Sequence, residues 1–306
     1  MWSRPAALRP GDVVGVCSPA GAVEADALAR GAAALRALGL GVRVAPHAAS
    51  RHLFMAGTVD ERLRDLEELW FDPEVRAVVA ARGGAGASWL LDRLDLDRMA
   101  ATPKVLLGYS DLTFLHAALN ARGLVTFHGP MVATDFATGK VDEGSLRAAL
   151  FGEAPYATEE DDLLSLRAGE GEGRLLGGCL TILAAAAGTP WAFRPDPSGT
   201  LLFLEDVDEK PYRIDRLLFQ LRRSGAFEGV RGVVLGDMKG CRPRPGSPFS
   251  LDDVVREALA GLDVPVAVGL STGHTVGRNL TLPFGVPARL TCGDSARLTI
   301  EETAVA

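Results

Sequence analysis

The motif GYSDLT at 108–113 places the side chain best suited to covalent chemistry between two predicted elements. The apolar run before it predicts a buried strand over 104–108, and the apolar spacing after it predicts a helix over 111–121. A serine on a sharp strand-to-helix turn exposes its hydroxyl, and N–H groups at the helix start face developing negative charge. Ser110 is therefore a candidate nucleophile, and the commoner role of such a serine, a helix N-cap, stays open.

A serine hydroxyl is a weak nucleophile, so it needs a base that takes its proton and an acid that orients the base. Among the five histidines, His47 and His52 lie in a predicted loop, and His116 lies inside a predicted helix, where solvation or packing explains them. His128 and His274 each follow a predicted strand, and sites are built at strand ends. The residues alone rank these two as equal candidates for the base.

The candidate acid is Glu205, which ends the apolar run LLFLE at 201–205. A carboxylate there is costly to bury unless it is hydrogen-bonded, although an exposed strand-end acid is the plainer interpretation of this residue alone. Ser110, Glu205 and His274 follow the nucleophile, acid, base order of α/β-hydrolases. The order varies among triad enzymes, so it carries little weight.

A second strand-to-turn junction, ARGGAGAS at 81–88, is rich in glycine. It lacks the last glycine of GxGxxG, and no Walker lysine follows, so it does not indicate a dinucleotide site. Three roles stay open for this turn: a phosphate cradle, a tight turn without a ligand, or one half of an oxyanion hole. In the last case the N–H of Asp111 is the other half.

The elements that must position these residues alternate between short apolar runs and helical patterns. Such alternation predicts a parallel sheet with helices on both faces. The predicted strands lie at 12–17, 42–45, 75–81, 104–108 and 124–127, and the predicted helices at 24–38, 59–70, 88–94 and 111–121.

An acidic, glycine-containing stretch at 153–172 separates this first domain, 1–152, from a second one at 173–306. It is typical of a linker or of a pair of short edge strands. The second domain mixes both kinds of element, which predicts an α+β architecture. Helices are predicted at 177–187 and 212–223, strands at 200–204, 232–235 and 264–268, and a β-hairpin at 288–300.

Composition narrows the class of protein. The 306 residues are 47% hydrophobic and 23% charged, which excludes a disordered chain, and the net charge of −7 argues against a nucleic-acid surface. The four cysteines show no metal-ligand spacing, so we expect neither a structural zinc site nor a disulfide framework. We also expect no metal and no other cofactor at the site. No apolar run predicts a signal peptide or a membrane span, and the expected compartment is the cytoplasm.

Seven motifs in order along nearly the whole chain resemble the serine LD-carboxypeptidase family, which includes the muropeptide LD-carboxypeptidases and the microcin C immunity peptidases. They are PGDVVGVCSPAG at 10–21, ARGGAGA at 81–87, GYSDLT at 108–113, FHGPM at 127–131, LLGGCLTILAAAAGTP at 175–190, FLEDVDEKPYRIDRLL at 203–218 and GHTVGRNLTLPFG at 273–285.

The resemblance implies that Ser110 is the nucleophile, with Glu205 and His274 completing a triad, and it favours His274 over His128. It implies backbone N–H groups of Gly84 and Asp111 as oxyanion donors. It also implies a Rossmann-like N-terminal nucleophile domain and a β-rich C-terminal domain, with the triad assembled between them. Members of the family tend to be homodimers.

The activity implied is release of the terminal D-alanine from a murein tetrapeptide in the cytoplasm, a step of peptidoglycan recycling. We expect a guanidinium to bind the leaving carboxylate, and Arg213 is the candidate. One alternative is a microcin C immunity-type peptidase acting on nucleotide–peptide conjugates. The stretch 188–200 has only Trp191 and Phe193 for stacking a nucleobase, which favours the muropeptide.

Two other classes fit less well. A non-catalytic nucleotide-binding protein would use the turn at Gly84 as a phosphate cradle. An ordinary α/β-hydrolase esterase is disfavoured because GYSDL lacks the second glycine of GxSxG.

Overall fold

Two β-sheets carry the fold of the chain in a computed structural model that describes residues 2–152, 156–158 and 163–306. The first half contains, in chain order, β1 (Val13–Cys17), α1 (Ala25–Ala37), β2 (Gly41–Val44), α2 (Val59–Phe71), β3 (Val75–Ala80), α3 (Leu96–Ala101), β4 (Val105–Gly108), α4 (Thr113–Asn120), β5 (Thr126–His128) and α5 (Glu143–Phe151).

The second half contains more strand and supplies most of the second sheet. Its elements are β6 (Leu164–Arg167), β7 (Gly169–Cys179), α6 (Leu180–Ala186), β8 (Thr200–Glu205), α7 (Pro211–Arg223), β9 (Val230–Gly236), α8 (Leu251–Ala258), β10 (Val266–Leu270), β11 (Leu282–Phe284), β12 (Pro287–Cys292) and β13 (Ala296–Ile300).

The first sheet has the strand order β11-β5-β4-β3-β1-β2. Strands β1 to β5 pair in parallel, and β11 joins β5 in antiparallel fashion at one edge. The α/β class with a parallel N-terminal sheet is thus confirmed. The antiparallel strand was not predicted, because three residues hold no readable period and their partner lies far away in the sequence.

The second sheet has the order β13-β12-β7-β8-β9-β10-β6. Strands β7 to β10 run parallel, while β12, β13 and β6 pair in antiparallel fashion, so the C-terminal half is the expected β-rich α+β unit. Parallel strands present their carboxyl ends at one edge, where the chain leaves to form loops. The ends of β8 and β10 therefore bring the loops after residues 205 and 270 to the same edge.

Several predicted boundaries differ from the structure. Residues 177–179, predicted to open a helix, continue β7 because they pair in register with β8, and the helix begins at Leu180. The helix predicted at 88–94 is a 3-10 turn, Ala87–Leu90. Helices α3, α5 and α8 were not predicted; they are only six, nine and eight residues long, so their periodicity is short.

The predicted linker is only partly described, since 153–155 and 159–162 lie outside the described residues. Within it, β6 forms an edge strand, whereas β7 begins at Gly169 and lies inside the sheet. The domain limits at 152 and 173 stay a prediction. Among helices of the described ranges, none combines the length and the hydropathy that crossing a membrane requires.

Candidate active site

Ser110 occupies a strained turn directly after β4. Its φ of 63° lies in the left-handed region, which a residue with a Cβ adopts at a cost. The 3-10 turn Ser110–Leu112 then leads into α4. No side-chain cap bond closes either start, and within the described chain the Ser110 hydroxyl caps no N–H group. Ser110 is therefore not the N-cap of either element, the role that the motif alone left open, and its role as nucleophile stays a prediction.

Gly83, in the turn after β3, packs directly against this serine. A Cβ added to Gly83 would lie 2.5 Å from the Cβ of Ser110 and 2.7 Å from its Oγ. Because such distances are far below van der Waals contact, only glycine permits the two turns to approach this closely. The glycine-rich turn is thus one wall of the site around the Ser110 hydroxyl.

Glu205 and His274 form a hydrogen-bonded pair at the common edge of the second sheet. Oε2 of Glu205 lies 2.8 Å from Nδ1 of His274 and accepts the backbone N–H of the same residue at 2.9 Å. Glu205 is fully buried, whereas the His274 side chain is 19% exposed. The carboxylate therefore fixes both the backbone and the ring of His274, which leaves Nε2 as the ring nitrogen available to a substrate or a hydroxyl.

Gly273 makes this pair possible. Its φ is +75°, and a Cβ there would lie 2.7 Å from Cδ of Glu205. Glycine allows the loop after β10 to turn back closely over the carboxyl group.

Contacts between the two halves bring Ser110 to this pair. The backbone N–H of Cys179, at the end of β7, donates to Oγ1 of Thr113 at 3.0 Å. Cys179 is in turn the register partner of Glu205 on β8. The Tyr109 ring meets the His274 ring edge-on, with 5.1 Å between centroids. The structure thus brings three sequence-predicted residues into one region at the boundary between the sheets.

Ser110 Oγ makes no hydrogen bond to His274 among the contacts of the described residues. Catalytic hydrogen bonds are often long without a ligand and tighten only in the complex, so their absence does not argue against the pair.

Nearby carboxylates and burial act in opposite directions on the pKa of His274. Burial lowers its pKa, but the charge and the hydrogen bond of Glu205, together with the charges of Asp206 and Asp135, outweigh burial, and the pKa lies above the ordinary value for histidine. The surroundings therefore favour the imidazolium that a general base becomes when it takes a proton.

The sequence did not indicate a role at the site for two of these neighbours, Asp206 and Asp135. Asp206, next to Glu205, accepts hydrogen bonds from the N–H and hydroxyl of Thr181, and so holds the start of α6 beside the site. Asp135 accepts the N–H of Met131 and interacts with the Tyr109 phenol. Asp206 could have been found as a second acid after an apolar strand, whereas nothing in the sequence distinguishes Asp135.

The backbone N–H groups of Gly84 and Asp111 have no hydrogen-bond acceptor among the described residues. The side chain of Asp111 links the two turns, because it accepts the Ala87 N–H at 2.7 Å. Burial raises the pKa of Asp111 to about 6, against the effects of the Ala87 bond and of Arg62. Two free donors on joined turns can stabilise an oxyanion, and their assignment stays a prediction.

The other four histidines lie in four different environments. His128 is fully buried, its ring nitrogens have no partner, and burial followed by neighbouring histidines lowers its pKa. His116 packs beneath the site, where its Nε2 lies 2.8 Å from the Gly108 carbonyl. His47 lies 2.8 Å from Asp65, and His52 is exposed. The polar geometry therefore favours His274 over His128 as the base.

Arg213, the predicted carboxylate ligand, lies on α7 with an exposed side chain. Its Nε pairs with Glu209 at 2.7 Å, in an i, i+4 arrangement. Its role in binding stays a prediction.

A serine on a strained strand-to-helix turn of an α/β scaffold, in the same region as a buried glutamate paired with a histidine, is typical of serine hydrolases. The chain belongs to the LD-carboxypeptidase family, peptidase S66: the family's N-terminal domain matches residues 14–129 and its C-terminal domain residues 172–290. These matches confirm the family resemblance, and they confirm that the chain is a serine carboxypeptidase of this family.

Two curated relatives cover almost the whole chain. A Streptomyces coelicolor protein, provisionally named a carboxypeptidase, is 45% identical over 99% of this chain and 97% of its own. A Bacillus subtilis protein named a probable murein peptide carboxypeptidase is 38% identical over 99% of this chain and 93% of its own.

Two solved structures share the fold. The muramoyltetrapeptide carboxypeptidase of Oxalobacter formigenes has a TM-score of 0.83 and 32% identity, covering 95% of this chain and 99% of its own. The protein MccF, solved with glutamyl sulfamoyl guanosine, has a TM-score of 0.88 and 26% identity, covering 99% of both chains.

Proposed function

We propose that this chain is an LD-carboxypeptidase that releases the terminal D-alanine of murein tetrapeptides, with Ser110 as nucleophile, His274 as base and Glu205 as its orienting acid. The observation that carries the proposal is the 2.8 Å contact between Glu205 and Nδ1 of His274, beside the strained Ser110 turn. The murein peptide carboxypeptidases among its relatives support the substrate class.

In the proposed acylation, Nε2 of His274 takes the proton of Ser110 while Oγ attacks the carbonyl carbon of the L,D-peptide bond. A tetrahedral intermediate forms, and His274 then gives the proton to the leaving amine of D-alanine. Water, activated by the same histidine, hydrolyses the acyl-enzyme and regenerates the serine. Glu205 holds the ring tautomer and stabilises the imidazolium throughout, which is consistent with the raised pKa of His274.

The oxyanion of the intermediate would accept hydrogen bonds from the backbone N–H groups of Gly84 and Asp111. Each such donor contributes about 3 kcal/mol to transition-state stabilisation in comparable sites. Support comes from the bond between the Asp111 carboxyl and the Ala87 N–H, which holds the two turns in one arrangement. The donors would then need little reorganisation during the reaction.

A second candidate is hydrolysis of nucleotide–peptide conjugates, as in microcin C immunity, and the fold similarity to MccF favours it. In this chain, however, Phe193 is buried and Trp191 packs partly buried against the core. Neither ring stands free as a platform for a nucleobase. This argues for the muropeptide.

The test incubates the purified protein with a murein tetrapeptide and, separately, with an aspartyl-sulfamoyl nucleoside, and measures the released amino acid. We expect D-alanine from the tetrapeptide and its loss in Ser110→Ala, whose fold is checked by circular dichroism. Retained turnover in Ser110→Ala would refute the nucleophile, and release from the nucleoside alone would favour the second candidate. Tight nucleotide binding without any hydrolysis would favour a non-catalytic binding protein.

Two further parts of the proposal follow from the family resemblance. We propose a cytoplasmic location, where recycled muropeptides would be processed, and a homodimer. Sedimentation of the purified chain tests the oligomeric state, and fractionation of the producing cells tests the compartment.

A further inference from the structure

Arg82 is an exposed residue at the start of the glycine-rich turn. The residue after it, Gly83, packs against Ser110, and the next, Gly84, carries a backbone N–H that has no acceptor among the described residues. Arg82 therefore comes one residue before the glycine that packs against Ser110 and two residues before a candidate oxyanion donor. No other arginine in the sequence adjoins this glycine pair.

The guanidinium of Arg82 lies between two loops, the glycine-rich turn and the loop that contains Gly21 and Ala22. Its Nη1 donates to the carbonyl of Ala22 at 3.0 Å. Its Nε lies 3.5 Å from the position of a Cβ on Gly21 and 4.0 Å from that of a Cβ on Gly84. The head group is thus held over the Gly84 turn rather than extended freely into solvent.

Most donors of this guanidinium are unused. Arginine has five N–H groups, and among the described residues only the Ala22 carbonyl accepts from Arg82, while no carboxylate forms an ion pair with it. An anchored but incompletely used guanidinium is suited to bidentate binding of a carboxylate.

A carboxypeptidase must recognise the free carboxylate of the residue it removes. One residue spans about 3.5 Å of chain, so this carboxylate lies close to the carbonyl that the serine attacks. The cation that binds it must therefore reach the space beside the nucleophile, and a residue on a turn that borders the nucleophile is suited to do so. The net charge of −7 offers no general attraction for an acidic peptide, so this cation has to act locally.

We propose that Arg82 binds the α-carboxylate of the leaving residue and thereby restricts the enzyme to chain ends. The inference rests on the proposed function, which supplies a peptide with a free terminus. Arg213, the residue that the sequence indicated, has its guanidinium paired with Glu209. If Arg82 binds the carboxylate, replacing Arg82 removes the preference for a free carboxylate and replacing Arg213 does not. If Arg213 binds it, the two substitutions have the opposite effects.

Binding is measured by calorimetry in the Ser110→Ala protein, so that turnover plays no part. The ligands are a tetrapeptide ending in free D-alanine and the same peptide ending in D-alaninamide. We expect the acid to bind about tenfold to a hundredfold more tightly, the range for hydrogen bonds to a charged group. Adding Arg82→Gln should bring the two dissociation constants together by weakening only the acid, and Arg82→Lys should keep part of the preference.

The matched control is Arg76→Gln, the same change at an exposed position near the opposite end of β3, which should leave the acid-to-amide ratio unchanged. The inference is overturned if Ser110→Ala binds acid and amide equally, or if the preference survives Arg82→Gln. Equal weakening of both ligands, or loss of the preference through Arg213→Gln instead, overturns it as well. Failure of the wild-type protein to release D-alanine counts against the proposed function, while the binding experiment still decides the role of Arg82.

Discussion

The hydroxyl of Thr113 accepts the backbone N–H of Cys179 at 3.0 Å, and this bond ties the serine turn to the second sheet. Thr113 is fully buried and begins α4, three residues after Ser110. Cys179 pairs in register with Glu205. One hydrogen bond thus couples the element that carries the candidate nucleophile to the strands that carry its candidate acid.

Replacing Thr113 with valine should separate these elements slightly. Thr113→Val keeps the shape but leaves the Cys179 N–H unsatisfied, which lowers the free energy of unfolding by about 1–3 kcal/mol. We expect kcat for D-alanine release to fall as well, because the triad residues shift relative to each other. Denaturant titration and a release assay measure the two effects. Thr113→Ser, which retains the acceptor, is the control, and identical behaviour of the two variants would contradict the coupling.

The contact between Gly83 and Ser110 predicts a sharp effect on activity. In Gly83→Ala the new methyl group would lie 2.5 Å from the serine Cβ, so the serine must move. A displacement of about 1 Å at a reacting group lowers the rate on the order of a hundredfold. The release assay measures kcat, and thermal unfolding shows whether the chain remains folded.

The control for this variant is Gly144→Ala in the first turn of α5, where the nearest atom to an added Cβ is 3.6 Å away. Because alanine favours helix, this change should raise stability by about 0.5–1 kcal/mol and leave kcat unchanged. If Gly83→Ala kept full activity, the turn would not form the wall proposed here.

The pH profile should report the pair of Glu205 and His274. The base must be neutral, and the carboxylate raises the pKa of His274 above its ordinary value, so kcat/KM should rise with pH through an acid limb above about 6.5. Glu205→Gln removes the charge and leaves burial, which lowers the pKa. The acid limb should then move to lower pH, while the plateau rate falls on the order of 10⁴-fold as the tautomer is lost.

Glu228→Gln, the same substitution in an exposed turn, should give the same pH profile of kcat/KM as the wild-type protein. An acid limb that stayed in place in Glu205→Gln would mean that another group controls it, and the orienting role of Glu205 would be lost.

Local sequence patterns sufficed to predict most of the parallel sheet and to identify the family. Buried parallel strands such as β3 and β4 are continuous apolar runs, and glycine ends their turns visibly. Short helices such as α5 and α8 and the strand β11 escaped prediction, because their pattern is brief or their partner is distant. The helix predicted over 177–187 begins only at Leu180, because pairing of residues 177–179 with β8 overrode local propensity.

At the site, the residues alone could nominate Ser110, Glu205 and His274 but ranked His274 and His128 as equal, since both follow predicted strands, and only the family resemblance favoured His274. The tertiary structure distinguished their environments: one ring meets a buried carboxylate, and the other is enclosed without a polar partner. It also placed Arg82 over the Gly84 turn and Arg213 beside Glu209. Residue types and order were readable from the chain, whereas contacts between distant segments depend on how the two sheets pack against each other.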